Sequence, residues 1–192
     1  MYNFTLIGDS LTNYGFQQNY GWPKLLHSYY PKAHVMNYGY NGYTSSMLQS
    51  MMKRLIPNNN IFFATILLGT NDCYSSSFVS PEQYKQNINY IIQYIHKLNP
   101  NCIILLITPP ICKLNDYIFE YIDQIYSIKK ENTSSMLQIV DLHCGPYKII
   151  MEDLYDGIHF GETGHHKLFK NIQHTIKEKF NTISFHHLNP LE

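Results

Sequence analysis

Apolar residues are arranged along the chain in two alternating patterns. Short apolar runs predict five β-strands, over residues 3–7, 33–38, 61–68, 102–108 and 137–142. Between and after these runs, apolar residues at helical spacing predict helices over residues 20–29, 44–55, 82–98, 116–130 and 162–180. The continuous apolar run over 61–68 is typical of a central parallel strand that is buried on both faces. The alternation predicts a doubly wound α/β sandwich with a five-stranded parallel sheet.

Length and charge restrict the class of protein. The 192 residues suit one domain of ordinary size, and 14 basic residues balance 14 acidic ones, so no basic surface for nucleic acid is expected. The first strand begins close to Met1, and no apolar run is long enough to span a bilayer, so we predict neither a signal peptide nor a membrane span. The four cysteines form no C-x-x-C pair, which favours free thiols and a cytoplasmic location.

Four polar segments lie where the predicted strands end or where the last helix begins. They are Gly8-Asp9-Ser10-Leu11, the segment 39–45, Gly69-Thr70-Asn71-Asp72 and the segment 156–160. Loops that follow parallel strands emerge at the same edge of the sheet, which borders the active crevice in open α/β folds. We therefore expect Ser10, Gly42 and Asn71 to lie close together, with His159 able to reach them.

These residue types suit nucleophilic catalysis on an ester. A serine hydroxyl is a weak nucleophile and needs a base, which His159 can supply near neutral pH. Asp156 precedes His159 by three residues, so one tight turn can place its carboxylate against the imidazole and orient the ring. The backbone N–H groups of Ser10 and Gly42 and the side-chain amide of Asn71 can stabilise the oxyanion.

Other readings of the polar residues are weaker. Asp141, at the end of the fifth strand, competes with Asp156 for the acid role, whereas Asp9 and Asp72 are expected to organise their loops. A metal site is not expected, because adjacent histidines on a helix point to different faces and no third ligand is evident. The segments concerned are His143-Cys144, His165-His166 and His186-His187. The chain also has no G-x-S-x-G, Walker A or G-x-G-x-x-G motif.

The four segments together resemble the blocks of the SGNH, or GDSL, hydrolase family, in order and in spacing. The resemblance implies a single SGNH domain over residues 1–192, a three-layer α/β/α sandwich of flavodoxin-like type, with Ser10, Asp156 and His159 as the triad. It places the oxyanion hole at Ser10, Gly42 and Asn71, and it implies no metal or organic cofactor. Within the family the chain is most similar to the isoamyl acetate-hydrolysing esterases, in segments 42–45, 64–73 and 156–160. A small or medium acyl ester, an acetyl ester among them, is the substrate that this implies.

The sequence leaves several alternatives open. The same residues would serve a lysophospholipase, a thioesterase or a carbohydrate deacetylase, and a non-catalytic binding module on this scaffold is a further reading. Aromatic residues between Tyr14 and Trp22, and the loop over 74–79, either line an apolar ester pocket or pack as ordinary surface and core. The oligomeric state is open between monomer and homodimer. The segment 184–192, with Phe185 and Leu188, packs either on the body or on a second copy.

Overall fold

Five parallel strands form the centre of the structure, a computed structural model that describes residues 2–57, 60–113 and 117–180. The strand order is β2-β1-β3-β4-β5, and every neighbouring pair is parallel. The strands are β1 (Tyr2–Gly8), β2 (Ala33–Gly39), β3 (Ile61–Leu67), β4 (Ile103–Ile107) and β5 (Leu137–Val140). The predicted α/β fold with a five-stranded parallel sheet is therefore confirmed.

Helices cover both faces of the sheet. They are α1 (Ser10–Gln17), α2 (Trp22–Tyr29), α3 (Ser45–Leu55), α4 (Pro81–Leu98), α5 (Ile118–Glu131) and α6 (Glu162–Phe180). On one face, α1, α2 and α6 contribute to a core that contains Trp22 and Leu168. On the other face, α3, α4 and α5 contribute to a second core that contains Met52 and Ile91. The result is the three-layer sandwich that the alternation of strands and helices predicts.

Strand β3 shows why its sequence is apolar without alternation. Phe63 and Leu67 point into one core, whereas Ala64 and Ile66 point into the other, and all four are fully buried. A strand that contributes to two cores has no face for polar side chains. The continuous apolar run over 61–68 therefore follows from the central position of the strand.

The segment after β1 differs from the expectation. We expected Ser10 in a loop after the first strand, but it is the first residue of α1, a helix that apolar spacing did not indicate. The Asp9 side chain caps this helix by accepting from the N–H of Leu11 at 2.9 Å. The indole N–H of Trp22 donates to the carbonyl of Leu11 at 3.3 Å, so contacts from outside the helix help to hold it. The next helix, predicted from residue 20, begins at Trp22.

A short 3₁₀ helix, Met151–Asp153, leads into the loop before α6 and had no counterpart among the predicted elements. Some predicted features lie wholly or partly outside the described residues. They are the first residues expected in α5, the pair His186-His187 and the segment 184–192. None of the helices in the described ranges is long and apolar enough to cross a membrane.

The strand order also fixes where a cleft can form. The chain leaves β1 through α1 and α2 on one face to reach β2, and then crosses through α3 on the other face to reach β3. The connections therefore change sides at β1, which lies between β2 and β3. Such a switch point opens a crevice at the carboxyl ends of the strands. Ser10 follows β1 and Asn71 follows β3, so both lie beside this crevice.

Candidate active site

Ser10 is held where β1 passes directly into α1. The carbonyl of Asp9 accepts from the N–H groups of Thr12 at 3.2 Å and Asn13 at 3.1 Å, which closes the first helical turn. A side chain at Gly39 would place its Cβ 2.6 Å from the N of Asn13, so a glycine is needed for α1 to lie this close to β2. Ser10 is therefore fixed at the N-terminus of a helix, where the first backbone N–H groups have no intrahelical partner.

The structure brings Ser10, His159 and Asp156 into one chain of contacts. The Oγ of Ser10 lies 3.0 Å from Nε2 of His159, and Nδ1 of His159 lies 2.7 Å from Oδ2 of Asp156. Ser10 is 8% exposed, so its hydroxyl is almost enclosed yet lines a cavity. These are the distances at which a base accepts a proton from a nucleophile while a carboxylate orients the base.

The turn from Asp156 to His159 holds the carboxylate in one orientation. Its second oxygen, Oδ1, accepts from the backbone N–H groups of Ile158 at 2.9 Å and His159 at 2.7 Å. Partial burial acts to raise the pKa of Asp156, but the His159 side chain and these two N–H groups outweigh it and hold the pKa at about 2. Asp156 is therefore ionised at neutral pH and can stabilise a positive charge on the imidazole.

Gly42 and Asn71 line the same cavity as Ser10. Gly42 has a φ of +75°, and a Cβ there would meet nothing within 4 Å, so the backbone conformation alone explains the glycine. The side-chain Nδ2 of Asn71 donates to the carbonyl of Tyr43 at 3.0 Å. An amide nitrogen carries two hydrogens, so this bond orients the group while leaving its second hydrogen available.

A cavity of about 310 Å³ connects these groups. It is lined by side chains or backbone of Ser10, Tyr14, Asn41, Gly42, Thr70, Asn71, Tyr74, Ile158 and His159. The structure thus brings all the residues predicted for nucleophile, base and oxyanion donors to one cavity, with Asp156 directly behind His159. Tyr14 and Tyr74 come from the two aromatic segments that were expected near the crevice.

Asp141, the competing acid, makes other contacts. It accepts hydrogen bonds from the hydroxyl of Tyr126, from the backbone N–H of His143 at 2.8 Å and from Sγ of Cys144 at 3.1 Å. These bonds tie the end of β5 to α5 and to the following loop. The hydrogen bonds of Asp141 therefore order a loop, whereas those of Asp156 include the ring of His159.

A buried polar network below the site was not predicted from the sequence. Both oxygens of Asp72 accept from the backbone N–H of Ser45, at 2.9 and 3.1 Å, and Oδ1 also accepts from its hydroxyl at 2.5 Å. Asn87 in α4 donates to that hydroxyl at 2.9 Å. The network joins the loop after β3, which carries Asn71, to the starts of α3 and α4. A polar Asn87 on the otherwise apolar face of α4 was the signal that could have revealed it.

Two buried carboxyls beside the site have raised pKa values. Burial raises the pKa of Asp9 to about 7, although the hydrogen bond from the N–H of Leu11 acts to lower it. The nearby Asp72 also acts to raise this pKa. Burial likewise raises the pKa of Asp72 to about 6, although hydrogen bonds from Ser45 oppose the shift. Both carboxyls are fully buried, and among the described residues Asp9 Oδ2 has no hydrogen-bond partner.

Two tyrosine rings enclose His159. Tyr14 contacts the imidazole edge to face, with ring centroids 4.8 Å apart, and Tyr155 stacks on it at 6.0 Å. Tyr14 lies four residues after Ser10 in α1, so the two side chains share one face of that helix. Within the described ranges, no group of three histidine, cysteine, aspartate or glutamate side chains is arranged to hold a metal ion.

The sequence profile of the GDSL-like Lipase/Acylhydrolase family matches residues 6–167, which is most of the chain and includes all four polar segments. The chain belongs to this family. A GDSL-like lipase/acylhydrolase is a carboxylic ester hydrolase, so the chain is an enzyme of that class.

Curated relatives of this GDSL-like hydrolase are esterases. An isoamyl acetate-hydrolyzing esterase 1 homolog from Mus musculus is 26% identical over 93% of this chain and 82% of its own length. The isoamyl acetate-hydrolyzing esterase of Schizosaccharomyces pombe is 25% identical over 91% of this chain and 74% of its own. Among solved structures, a carbohydrate esterase family 3 protein from Talaromyces cellulolyticus superposes with a TM-score of 0.78 at 15% identity, covering 96% of this chain and 100% of that one. At that identity the structure supports the fold alone.

Proposed function

We propose that this hydrolase is a serine esterase that cleaves carboxylic esters with small or medium acyl groups, acetyl esters foremost, through an acyl-enzyme. The observation that carries the proposal is the continuous chain from Ser10 Oγ through His159 to Asp156, which opens on a cavity. The names of the curated relatives support acetate as the acyl group. A reducing, cytoplasmic location belongs to the proposal and is supported by four free cysteines, three of them buried.

The first half of the reaction forms the acyl-enzyme. Oγ of Ser10 attacks the ester carbonyl while Nε2 of His159 takes the hydroxyl proton, and Asp156 stabilises the imidazolium that results. The oxyanion accepts from the backbone N–H groups of Ser10 and Gly42 and from Nδ2 of Asn71. His159 then gives its proton to the leaving oxygen, the carbonyl re-forms and the alcohol departs.

The second half releases the acid. A water molecule gives a proton to Nε2 of His159 and attacks the acyl carbonyl, with the same three donors on the oxyanion. The intermediate collapses, Ser10 takes the proton back, and a carboxylic acid leaves. The proposed steps use only side chains and backbone groups of the chain and need no metal or organic cofactor.

Hydrolysis of p-nitrophenyl esters tests the mechanism. The wild type should hydrolyse the acetate, and Ser10→Ala should abolish both turnover and labelling by an active-serine probe. Ser50→Ala, an exposed serine on α3, serves as the matched control and should keep full activity. Residual turnover in Ser10→Ala close to that of the wild type would contradict the assignment of the nucleophile.

The same series tests the size of the acyl group. The cavity of about 310 Å³ is at the lower end of the range of about 300–1,000 Å³ for small-molecule sites. We expect kcat/KM to fall steadily as the acyl chain lengthens from acetate to palmitate. A rise toward palmitate would favour a lysophospholipase or thioesterase that uses the same residues.

A further inference from the structure

A second cavity shares the residue Tyr14 with the first. It has a volume of about 180 Å³ and is lined by Tyr14, Gln17, Gln18, Tyr20, Tyr155, Phe160 and His165. Tyr14 lines both cavities, and Tyr14 and Tyr155 are the two rings that contact His159. Both cavities therefore border rings that contact the proposed base.

The direction of proton transfer identifies which half of an ester reaches this cavity. In the proposed reaction, His159 Nε2 protonates the leaving oxygen, so the alcohol half of the ester must lie on the His159 side of Ser10. The carbonyl oxygen points toward the proposed oxyanion donors at Gly42 and Asn71. The acyl group then lies in the first cavity, and the alcohol extends toward the second.

Helix α1 provides a continuous path between the two. Ser10, Tyr14 and Gln17 are spaced by four and three residues, so they follow one face of the helix, and Gln18 is its C-cap residue. At about 1.5 Å of rise per residue, Gln17 lies about 10 Å along the axis from Ser10. An alcohol that extends from the ester along this face therefore reaches the side chains of Gln17 and Gln18.

The chemistry of the lining favours a neutral alcohol with several hydroxyl groups. The amides of Gln17 and Gln18 and the hydroxyls of Tyr14, Tyr20 and Tyr155 can each donate and accept hydrogen bonds. Gln17 and Gln18 are exposed. Neither side-chain amide is hydrogen-bonded to another described residue. Tyr14, Tyr20 and Tyr155 all line this cavity, so a ligand there meets three tyrosine side chains.

An anionic or purely apolar alcohol fits less well. Burial lowers the pKa of His165 to about 4, so this ring is neutral at neutral pH, and none of the other six lining residues carries a positive charge. The carboxylate of Asp156 beside Tyr155 adds negative potential, which disfavours a phosphorylated alcohol. An aliphatic alcohol would use none of the hydrogen bonds that the amides and hydroxyls of the lining offer.

We infer that the cavity beyond Tyr14 is the alcohol subsite, and that the physiological ester is an acetylated polyol such as an acetylated sugar. The inference rests on the proposed esterase function and extends it to the leaving group. It assigns Gln17 and Tyr20 as residues that determine specificity, with no direct part in the chemistry at Ser10.

Two acetates that differ in the alcohol test the inference. The probes are a methyl glucoside acetylated on its primary hydroxyl and isoamyl acetate, and the readout is the ratio of their kcat/KM values. This ratio does not depend on the fraction of folded enzyme in a preparation. We expect the wild type to prefer the sugar acetate by about tenfold, and the double variant Gln17→Leu/Tyr20→Phe to lose most of that preference.

The double variant Gln93→Leu/Tyr90→Phe is the matched control, with the same substitutions on α4, away from the cavity, and it should keep the wild-type ratio. A wild type that prefers isoamyl acetate, or a Gln17→Leu/Tyr20→Phe ratio equal to that of the wild type, would overturn the alcohol subsite while leaving the esterase intact. Absence of Ser10-dependent turnover on both acetates and on p-nitrophenyl acetate would overturn the esterase proposal, and the subsite with it.

Discussion

Two regions at the carboxyl edge of the sheet use aspartate in opposite ways. The loops after β1 and β3 carry Asp9 and Asp72, which are fully buried and have raised pKa values. The loop before α6 carries Asp156, whose side chain is 37% exposed and whose pKa is lowered to about 2. The difference lies in the balance between desolvation, which dominates at the buried pair, and hydrogen bonds from His159 and its neighbours, which dominate at Asp156.

This contrast separates the tasks of the carboxyls. A group that must stabilise an imidazolium has to be charged, and of the three only Asp156 is held firmly in that form at neutral pH. Asp9 holds the segment that carries Ser10 in place, and Asp72 holds the loop that carries Asn71. We therefore expect substitution of the exposed Asp156 to lower the reaction rate, and substitution of the buried Asp72 to lower stability.

The largest expected effect is on turnover in Asp156→Asn. The amide keeps the shape of the carboxylate but cannot stabilise the imidazolium and favours the wrong tautomer of His159, so kcat should fall by about 10⁴. Steady-state hydrolysis of p-nitrophenyl acetate measures this. Asp141→Asn is the matched control and should retain wild-type kcat, because the hydrogen bonds of Asp141 order a different loop. A large loss of kcat in Asp141→Asn would reverse the assignment.

The second-largest expected effect is a loss of oxyanion stabilisation, and therefore of kcat, in Asn71→Ala. Removal of one oxyanion donor typically lowers kcat by about 10²–10³, which is about 2.7–4 kcal/mol. KM for p-nitrophenyl acetate should change little, because the ground-state carbonyl needs the donor less than the oxyanion does. Asn89→Ala, on α4 and away from the cavity, provides the comparison. Full turnover in Asn71→Ala would remove this amide from the oxyanion hole.

The third effect is on stability in Asp72→Ala. The change leaves the buried N–H and hydroxyl of Ser45 without their acceptor, so the free energy of unfolding should fall by about 2–3 kcal/mol. Chemical denaturation followed by circular dichroism measures it. Glu178→Ala breaks an exposed contact with His174 and should leave the denaturation midpoint unchanged. Equal midpoints for the two variants would show that the buried network does not stabilise the fold.

The smallest expected effect is a pH dependence that comes from Asp9. Its pKa is raised in the folded state, so the folded protein binds more protons than the unfolded chain between pH 3.8 and about 7. The stability from this group is complete below its unfolded pKa and is lost as the pH rises through its folded pKa. Relative to the wild type, Asp9→Asn should therefore gain about 1.5 kcal/mol between about pH 5.5 and pH 7. A constant difference across that range would show that Asp9 is already ionised.

The sequence was sufficient for most of the fold because the strands are buried on both faces. The runs at β3 and β4 have no polar residues except one threonine, so their length and position could be read directly. Helix α1 was missed because its stability is not local. It contains Thr12, Asn13 and Gly15, which are poor helix formers, and it is held by the cap of Asp9 and by contacts with Trp22 and Gly39.

The candidate site, like the fold, was only partly predictable from the sequence. Topology was enough to predict that Ser10, Gly42 and Asn71 lie close together, because loops after parallel strands share an edge, and it allowed His159 to reach them. The network of Asp72, Ser45 and Asn87 was not predictable, because its members come from three separate segments and no spacing relates them. The second cavity was missed for a similar reason, since Tyr155 and His165 reach it from the far end of the chain.

The contact between Ser10 and His159 joins residues that are 149 positions apart. During synthesis the proposed nucleophile leaves the ribosome long before the proposed base does, so a growing chain would not yet hold the pair. Closing a loop of this length costs chain entropy, which is recovered only when the last helix packs against the sheet. Ester hydrolysis in this protein is therefore a property of the finished molecule, and its appearance marks the completion of folding.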